Sequence, residues 1–95
     1  MFIINIKYKV GIDIIDQYLA EHRAWLDKKY AEGKLLCSGP KNPRDGGVII
    51  ALGNDKLAVE NLMQEDPFQI HGVSEYSLIE FNPVKFHPNI QDLIK

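Results

Sequence analysis

The segment from Phe2 to Val10 alternates strictly between two sets of side chains. Its even-numbered positions are all apolar or aromatic, and its odd-numbered positions are Ile3, Asn5, Lys7 and Lys9. Successive side chains of a β-strand point to opposite faces, so this alternation predicts a strand with one well-buried face. Because such a strand belongs to a sheet that is covered on that face, we expect further strands and covering helices from the rest of the chain.

Two later segments carry apolar residues at the helical spacing of three and four. In the first segment these residues are Ile15, Tyr18, Leu19, Trp25, Leu26 and Tyr30, and in the second they are Leu57, Ala58, Leu62 and Met63. Asp13 and Asn54 are predicted to cap the two helices, and Gly33 to follow the first. Asp66-Pro67 is predicted to end the second helix, because a residue before proline is disfavoured in the α region.

Three short segments predict the remaining strands, namely Lys34 to Ser38, Gly47 to Leu52 and Val73 to Phe81. The loop from Pro40 to Gly47 joins the first two as an antiparallel hairpin. The resulting order, β-α-β-β-α-β, predicts an α+β, ferredoxin-like fold with a four-stranded antiparallel sheet and both helices on one face. We expect one domain over residues 1–95, with a core of about 2–84 and a C-terminal tail of 85–95.

Two helices on one face of the sheet leave its other face open. Depending on strand register, that face would carry Ile3, Leu36 or Cys37, Ile49 or Ala51, and Tyr76 or Leu78. An exposed apolar patch of this kind requires a partner. We therefore expect a homodimer in which a second subunit covers the patch through a twofold interface.

Composition narrows the class of partner and the compartment. The net charge is −2 and the pI is about 5.8, which gives no electrostatic basis for binding nucleic acid or an anionic membrane. The longest apolar run, Val48 to Leu52, is too short to cross a bilayer. Met1-Phe2-Ile3-Ile4 lacks the basic start of a signal peptide. The single cysteine, Cys37, which we expect to be buried, fits a reducing compartment and a cytoplasmic location.

His22 and Asp66 are the first candidates for chemistry. His22 lies within the apolar stripe of the first helix, where an imidazole needs a hydrogen-bond partner. It is either a core histidine bonded to a backbone carbonyl or a general acid or base, since imidazole titrates near neutral pH. Asp66 is either a turn former or the carboxylate that orients His22.

Ser38-Gly39-Pro40, Arg44 and Tyr76 are further candidates, each with a plainer alternative. A small hydroxyl followed by Gly-Pro at a strand end would let a ligand approach the backbone, although such sequences are also common turns. Arg44 would bind an anionic substrate or remain a solvated loop charge. Tyr76 would line a pocket or pack in the core.

Several chemistries lack their sequence patterns. The three histidines, His22, His71 and His87, lie far apart and do not form the spacing of a metal site. There is no glycine-rich phosphate loop and no Gly-x-Ser-x-Gly element. We therefore predict no metal and no cofactor.

Three segments together resemble the YciI-like, or YCII-related, family of the dimeric α/β-barrel superfamily. They are Glu21-His22-Arg23-Ala24-Trp25-Leu26, Glu32-Gly33-Lys34-Leu35-Leu36-Cys37-Ser38-Gly39-Pro40 and Asp66-Pro67-Phe68. They stand in the family's order and the resemblance spans Phe2 to about Val84. It implies the ferredoxin-like fold, a dimer with facing sheets, and an active site at His22 and Asp66. We take Ser38, Gly39, Pro40, Phe68 and Tyr76 as candidate substrate-binding residues.

One relative is associated with removing halide from a chlorinated hydroquinone. Fold alone does not transfer an activity, so the resemblance leaves the biochemical role open. The first hypothesis is a small cofactor-independent enzyme that uses His22 and Asp66 for isomerisation or elimination on a cyclic or phenolic metabolite. The alternative is a non-catalytic binding or accessory protein with the same pocket. In a third interpretation, the two side chains only tie helix to sheet.

Overall fold

The computed structural model describes residues 1–94. Its elements are β1 (Phe2–Tyr8), α1 (Ile12–Ala31), β2 (Leu35–Pro40), β3 (Gly46–Ala51), α2 (Lys56–Gln64), α3 (Pro67–Ile70), β4 (Ser74–Glu80) and a final 3₁₀ helix (Pro88–Leu93). The predicted β-α-β-β-α-β order is confirmed, and α3 adds a single turn between α2 and β4. Among the described residues, no helix is both long and apolar enough to cross a membrane.

The four strands form one sheet in the order β2-β3-β1-β4, and every pair of neighbours is antiparallel. The predicted ferredoxin-like fold is therefore confirmed for the single chain. The alternating strand β1 lies inside the sheet, between β3 and β4. Its even-numbered side chains Phe2, Ile4 and Ile6 are buried against the helices, as the alternation predicts.

Both helices begin one or two residues away from the predicted caps. Gly11, not Asp13, is the N-cap of α1, and Asp13 lies within the first turn of the helix. Asp55, not Asn54, caps α2 and accepts a hydrogen bond of 3.2 Å from the backbone N–H of Ala58. At the other end of α1, Gly33 has a φ of 73°, the left-handed conformation predicted for it.

The register settles which side chains lie on the open face of the sheet. Ile3 pairs with Ile50 on β3 and with Ile79 on β4, and Ile50 pairs with Cys37 on β2. These four residues, Cys37, Ile50, Ile3 and Ile79, form an apolar row across all four strands, which we call the open-face row.

Three expectations about this face are wrong. Ile49 and Ala51 pair with Ile4 and Phe2, and strand partners share a face, so both are buried under the helices. Tyr76 and Leu78 likewise pack against the helix-side core. Cys37 is not a buried core thiol: it is exposed in the single chain, because it belongs to the face that no helix covers.

Candidate functional site

His22 lies on the side of α1 that faces the sheet, and 8% of its surface is exposed. Its ring stacks on the ring of Phe68, with centroids 4.0 Å apart and planes 10° from parallel. The indole of Trp25, one helical turn away, is tilted against it at 5.7 Å. Aromatic packing on these sides holds the imidazole in one orientation.

Asp66 supplies the polar partner of this imidazole. It is the N-cap of α3, with Pro67 in the first turn, which is a favoured start of a helix. Its Oδ1 accepts a hydrogen bond of 3.0 Å from the backbone N–H of Phe68 and lies 2.8 Å from His22 Nδ1. Asp66 is fully buried. Its side chain therefore has both roles considered for it, since it caps the turn and also contacts His22.

The pairing defines which ring nitrogen of His22 is available. When Asp66 is ionised it only accepts hydrogen bonds, so Nδ1–H donates to it and, in a neutral ring, the lone pair lies on Nε2. Within residues 1–94, Nε2 has no hydrogen-bond partner. Of the two alternatives for His22, the bond to a backbone carbonyl is not formed within residues 1–94, and Nδ1 contacts the Asp66 carboxyl group instead.

A second contact fixes the segment that carries Asp66. The buried ammonium of Lys29 lies 3.1 Å from Glu65 and 3.3 Å from Glu32. Burial lowers the pKa of Lys29, but the bonds to Glu65 and Glu32 outweigh this and raise the pKa above its ordinary value. Lys29 and His22 are seven residues apart on one helix face, so α1 holds the adjacent residues 65 and 66 at two points.

A cavity of about 460 Å³ opens beside His22, between α1 and the β2–β3 hairpin. Five of the predicted site residues line it: His22, Ser38, Gly39, Pro40 and Phe68. Asp66 does not line it and lies behind His22. The apolar part of the lining comes from α1, β1 and β3, including Leu19, Leu26, Ile6 and Ile49.

Tyr76 is not part of this cavity. Its hydroxyl accepts a hydrogen bond of 3.4 Å from Gln64 Nε2, and its ring packs against the core. The plainer interpretation, packing, is therefore the one that its position supports. At Ser38 the hydroxyl is 2.7 Å from that of Tyr30, and at Gly39 an added Cβ would contact nothing within 4 Å. Gly39 therefore contributes backbone to the cavity but is not required there by its small size.

Arg44 also lines the cavity, from the loop between β2 and β3. Its guanidinium donates a hydrogen bond of 2.7 Å to Asp16 Oδ1 on α1, so it is not a free solvated charge. The bond to Asp16, with a smaller contribution from the hydroxyl of Tyr8, raises the pKa of Arg44 above its ordinary value. The side chain is therefore a permanent cation at the cavity.

The residues available for a metal ion are few. Within residues 1–94, no three His, Cys, Asp or Glu side chains converge on one point as a metal site would need. The polar groups at the cavity are instead one imidazole, two guanidiniums and the hydroxyls of Tyr8 and Ser38. This set suits proton transfer and the binding of an oxygen-bearing ring.

Comparison with known families gives a match over most of the chain. The sequence model of the YCII-related domain matches residues 1–82. The chain belongs to the YCII-related family. No curated protein matches it.

One similar solved structure is 5-chloro-2-hydroxyhydroquinone dehydrochlorinase (TftG) from Burkholderia phenoliruptrix AC1100, in complex with 2,5-dihydroxybenzoquinone. The TM-score is 0.74, with 21% sequence identity over 85% of this chain and 92% of that chain. This similarity establishes that the YCII-related chain shares the neighbour's fold.

The sequence of this YCII-related chain does not single out Arg23 as a site residue. Arg23 follows His22 on α1 and also lines the cavity. Adjacent helical residues point about 100° apart, so the predicted position of His22 gives no reason to place Arg23 at the cavity. Only the path of the β2–β3 hairpin past α1 brings Arg23 and Arg44 to the same cavity.

Proposed function

We propose that this YCII-related protein is a small cofactor-independent enzyme that performs acid–base chemistry on a cyclic or phenolic metabolite. His22 is the acid–base residue and Asp66 orients it. The observation that carries the proposal is the bond of 2.8 Å between Nδ1 and the buried Asp66, beside a cavity that His22 also lines. The neighbouring dehydrochlorinase, which acts on a hydroquinone, supports the substrate class.

The chemistry follows from the tautomer. Neutral His22 accepts a proton at Nε2 from a ring carbon or hydroxyl of the substrate, and Asp66 stabilises the imidazolium that forms. The electron pair left on the substrate then either expels a leaving group, such as halide, or is protonated elsewhere by the same imidazolium. The first outcome is an elimination and the second an isomerisation. General base catalysis of this kind contributes about 10²- to 10⁴-fold to the rate.

The cavity has a suitable size and lining for such a substrate. Its volume of about 460 Å³ lies within the usual range for small-molecule sites. We assign Phe68, Pro40 and the backbone at Gly39 to the walls that contact the ring, and the Ser38 hydroxyl to a polar substituent. Tyr76 is left out of this assignment because it lies away from the cavity.

A substrate panel tests the proposal. The purified protein, without added cofactor or metal, is incubated with halogenated hydroquinones, substituted phenols and small lactones. Turnover is followed by ultraviolet absorbance and chloride release, and binding is measured separately by calorimetry. We expect at least one ring compound to be converted at a rate well above the rate without protein.

Binding without conversion, across a panel that includes the tightest ligands, would contradict the enzyme proposal. It would favour the alternative, a binding or accessory protein that uses the same pocket. A specific observation keeps this alternative in view: Nε2 has no protein partner within residues 1–94, so it could equally bond a ligand that does not react.

The open-face row supports a homodimer as the working form. Ile79 is 56% exposed in the single chain, and a row of this length that runs across all four strands is costly to leave in water. A second copy would bury the same row against itself through a twofold axis. The cytoplasmic location and the single domain, with its core of 2–84, stay predictions.

Sedimentation tests the dimer. The wild type is expected to sediment as a dimer at micromolar concentration. Ile50→Lys, in the middle of the open-face row, is expected to raise the dissociation constant by roughly a hundredfold or more, because the axis places two unpaired charges in the interface. The control is Leu57→Lys on α2, which is exposed and lies on the helix side. A monomeric wild type would refute the dimer.

A further inference from the structure

The arginines of the chain are concentrated at one place. The sequence has 11 basic residues, of which two are arginines, Arg23 and Arg44, and nine are lysines. Both arginines line the cavity beside His22, and none of the lysines within residues 1–94 does. They come from different elements, α1 and the β2–β3 loop, so the fold and not the sequence brings them together.

Among the residues that the structure describes, no carboxylate lines the same cavity. Two acids contact lining residues from outside it: Asp66 bonds His22, and Asp16 on α1 bonds Arg44. Arg23 makes no hydrogen bond or ion pair with any residue in 1–94. The described lining therefore presents two guanidiniums and no acidic side chain to a ligand, in a chain whose net charge is −2.

Arginine favours one kind of ligand group. Its planar fork of N–H donors matches the two oxygens of a carboxylate and stacks on ring systems, whereas lysine is a point charge. The rest of the lining, from Leu19, Leu26 and Phe68, is apolar and suits a ring. A ligand that satisfies both parts is a ring compound that carries a delocalised oxyanion.

We propose that the cavity selects cyclic compounds bearing a planar oxyanion, either a carboxylate or an ionised ring hydroxyl, which Arg23 and Arg44 bind. This proposal rests on the proposed function only because both place the ligand in the same cavity. The neutral imidazole of His22 is left for the ring atoms, since the arginines take the charge of the ligand.

Arg44 can exchange its partner without moving its loop. Its bond to Asp16 joins two side chains that are about a third and a half exposed, so it is a weak surface pair. The loop itself is held by backbone bonds from Tyr8 N–H to Asp45 O and from Lys41 N–H to Gly46 O. A ligand oxyanion therefore competes with Asp16 for Arg44 while the loop stays in place.

Paired neutral and anionic probes test the selectivity by calorimetry. Benzoate is compared with benzamide, and 4-nitrophenolate at a pH where it is ionised is compared with 4-nitroanisole. We expect the anion of at least one pair to bind about 10- to 100-fold more tightly, which is the range for a charge-assisted hydrogen bond. The first pair reports on carboxylate and the second on an ionised hydroxyl.

Substitutions assign the preference to the arginines. In Arg23→Gln/Arg44→Gln the ratio of anion to neutral affinity is expected to fall to near one. The control is Lys56→Gln on the exposed surface of α2, which also removes a positive charge and should leave the ratio unchanged. Asp16→Asn, which frees Arg44, is expected to tighten anion binding several-fold. A gain of this kind cannot come from misfolding.

Two results would overturn the proposal: equal binding of anion and neutral probe by the wild type, or a preference that persists in the double variant. Neither depends on turnover. An anion preference without any conversion supports the substrate class and counts against the enzyme. Conversion of neutral rings without an anion preference supports the enzyme and counts against the substrate class.

Discussion

His22→Gln is expected to lower turnover by about 10²- to 10⁴-fold and to leave ligand affinity within a few-fold of the wild type. Glutamine retains a polar group of similar length, which can still bond Asp66, but it cannot accept a proton near neutral pH. The change therefore removes the base and keeps most of the packing. The measurement is kcat and KM on the best substrate of the panel, with the affinity taken from calorimetry.

His71→Gln is the matched control. This imidazole stacks on Tyr18 at 4.1 Å and lies 3.3 Å from Glu21, so it also has an aromatic and an acidic neighbour. It does not line the cavity, and its loss should leave turnover within about twofold. Nitrogen-15 NMR of the wild type adds a direct readout, since neutral His22 should carry its proton on Nδ1.

The result that contradicts this prediction is a His22→Gln protein that turns over normally or that simply unfolds. Normal turnover would place the chemistry elsewhere in the cavity. A loss of stability of about 1–3 kcal/mol, with binding and turnover lost together, is the result expected if His22 and Asp66 only tie α1 to α3.

Phe68→Ala is expected to lower the free energy of unfolding by about 3–5 kcal/mol. Phe68 is 2% exposed and packs with Ile15 and Val73 in a hydrophobic cluster separate from the one that contains Phe2 and Ile4. Its ring also contacts Tyr8 edge-on at 6.0 Å and stacks on His22. Truncation therefore removes a large buried side chain and the support of the imidazole at the same time.

Urea denaturation measures this effect, with Ile70→Ala as the control. Ile70 ends the same short helix α3 but is 65% exposed, so its truncation should change stability by less than about 0.5 kcal/mol. Phe68→Leu should fall between the two, because it refills part of the space. A Phe68→Ala loss below about 1 kcal/mol would show that the cluster rearranges around the gap.

Local periodicity made most of the fold predictable. The alternation of Phe2 to Val10 and the apolar stripes of the helices depend only on residues close in sequence. The Asp-Pro-Phe segment likewise carries its own turn chemistry. These local signals fix the order of elements, and the order selects the ferredoxin-like arrangement.

Two of the errors occur where neighbouring residues offer the same local signal. Asn54 and Asp55 are both good caps, and in the structure Asp55 is the one that accepts the Ala58 N–H. The run from Val48 to Leu52 is apolar on both faces, so only pairing with β1 shows that Ile49 points to the helices.

The candidate site also contains residues that local sequence signals predict and residues that they do not. The spacing and family resemblance of His22 and Asp66 were visible in the sequence. The position of Tyr76 depended on the register of β4, and that of Arg23 on how the hairpin passes α1. Neither dependence is local, so neither residue could be placed correctly without the three-dimensional structure.

The β2–β3 loop supplies a residue of the cavity from outside the buried interior. None of residues 41–45 is buried, yet Arg44 within them lines the cavity. His22, Asp66 and Phe68, by contrast, belong to the buried interior. A substitution of Arg44 would therefore alter ligand preference at little cost to stability, whereas a substitution of Phe68 would alter the cavity wall and the stability together.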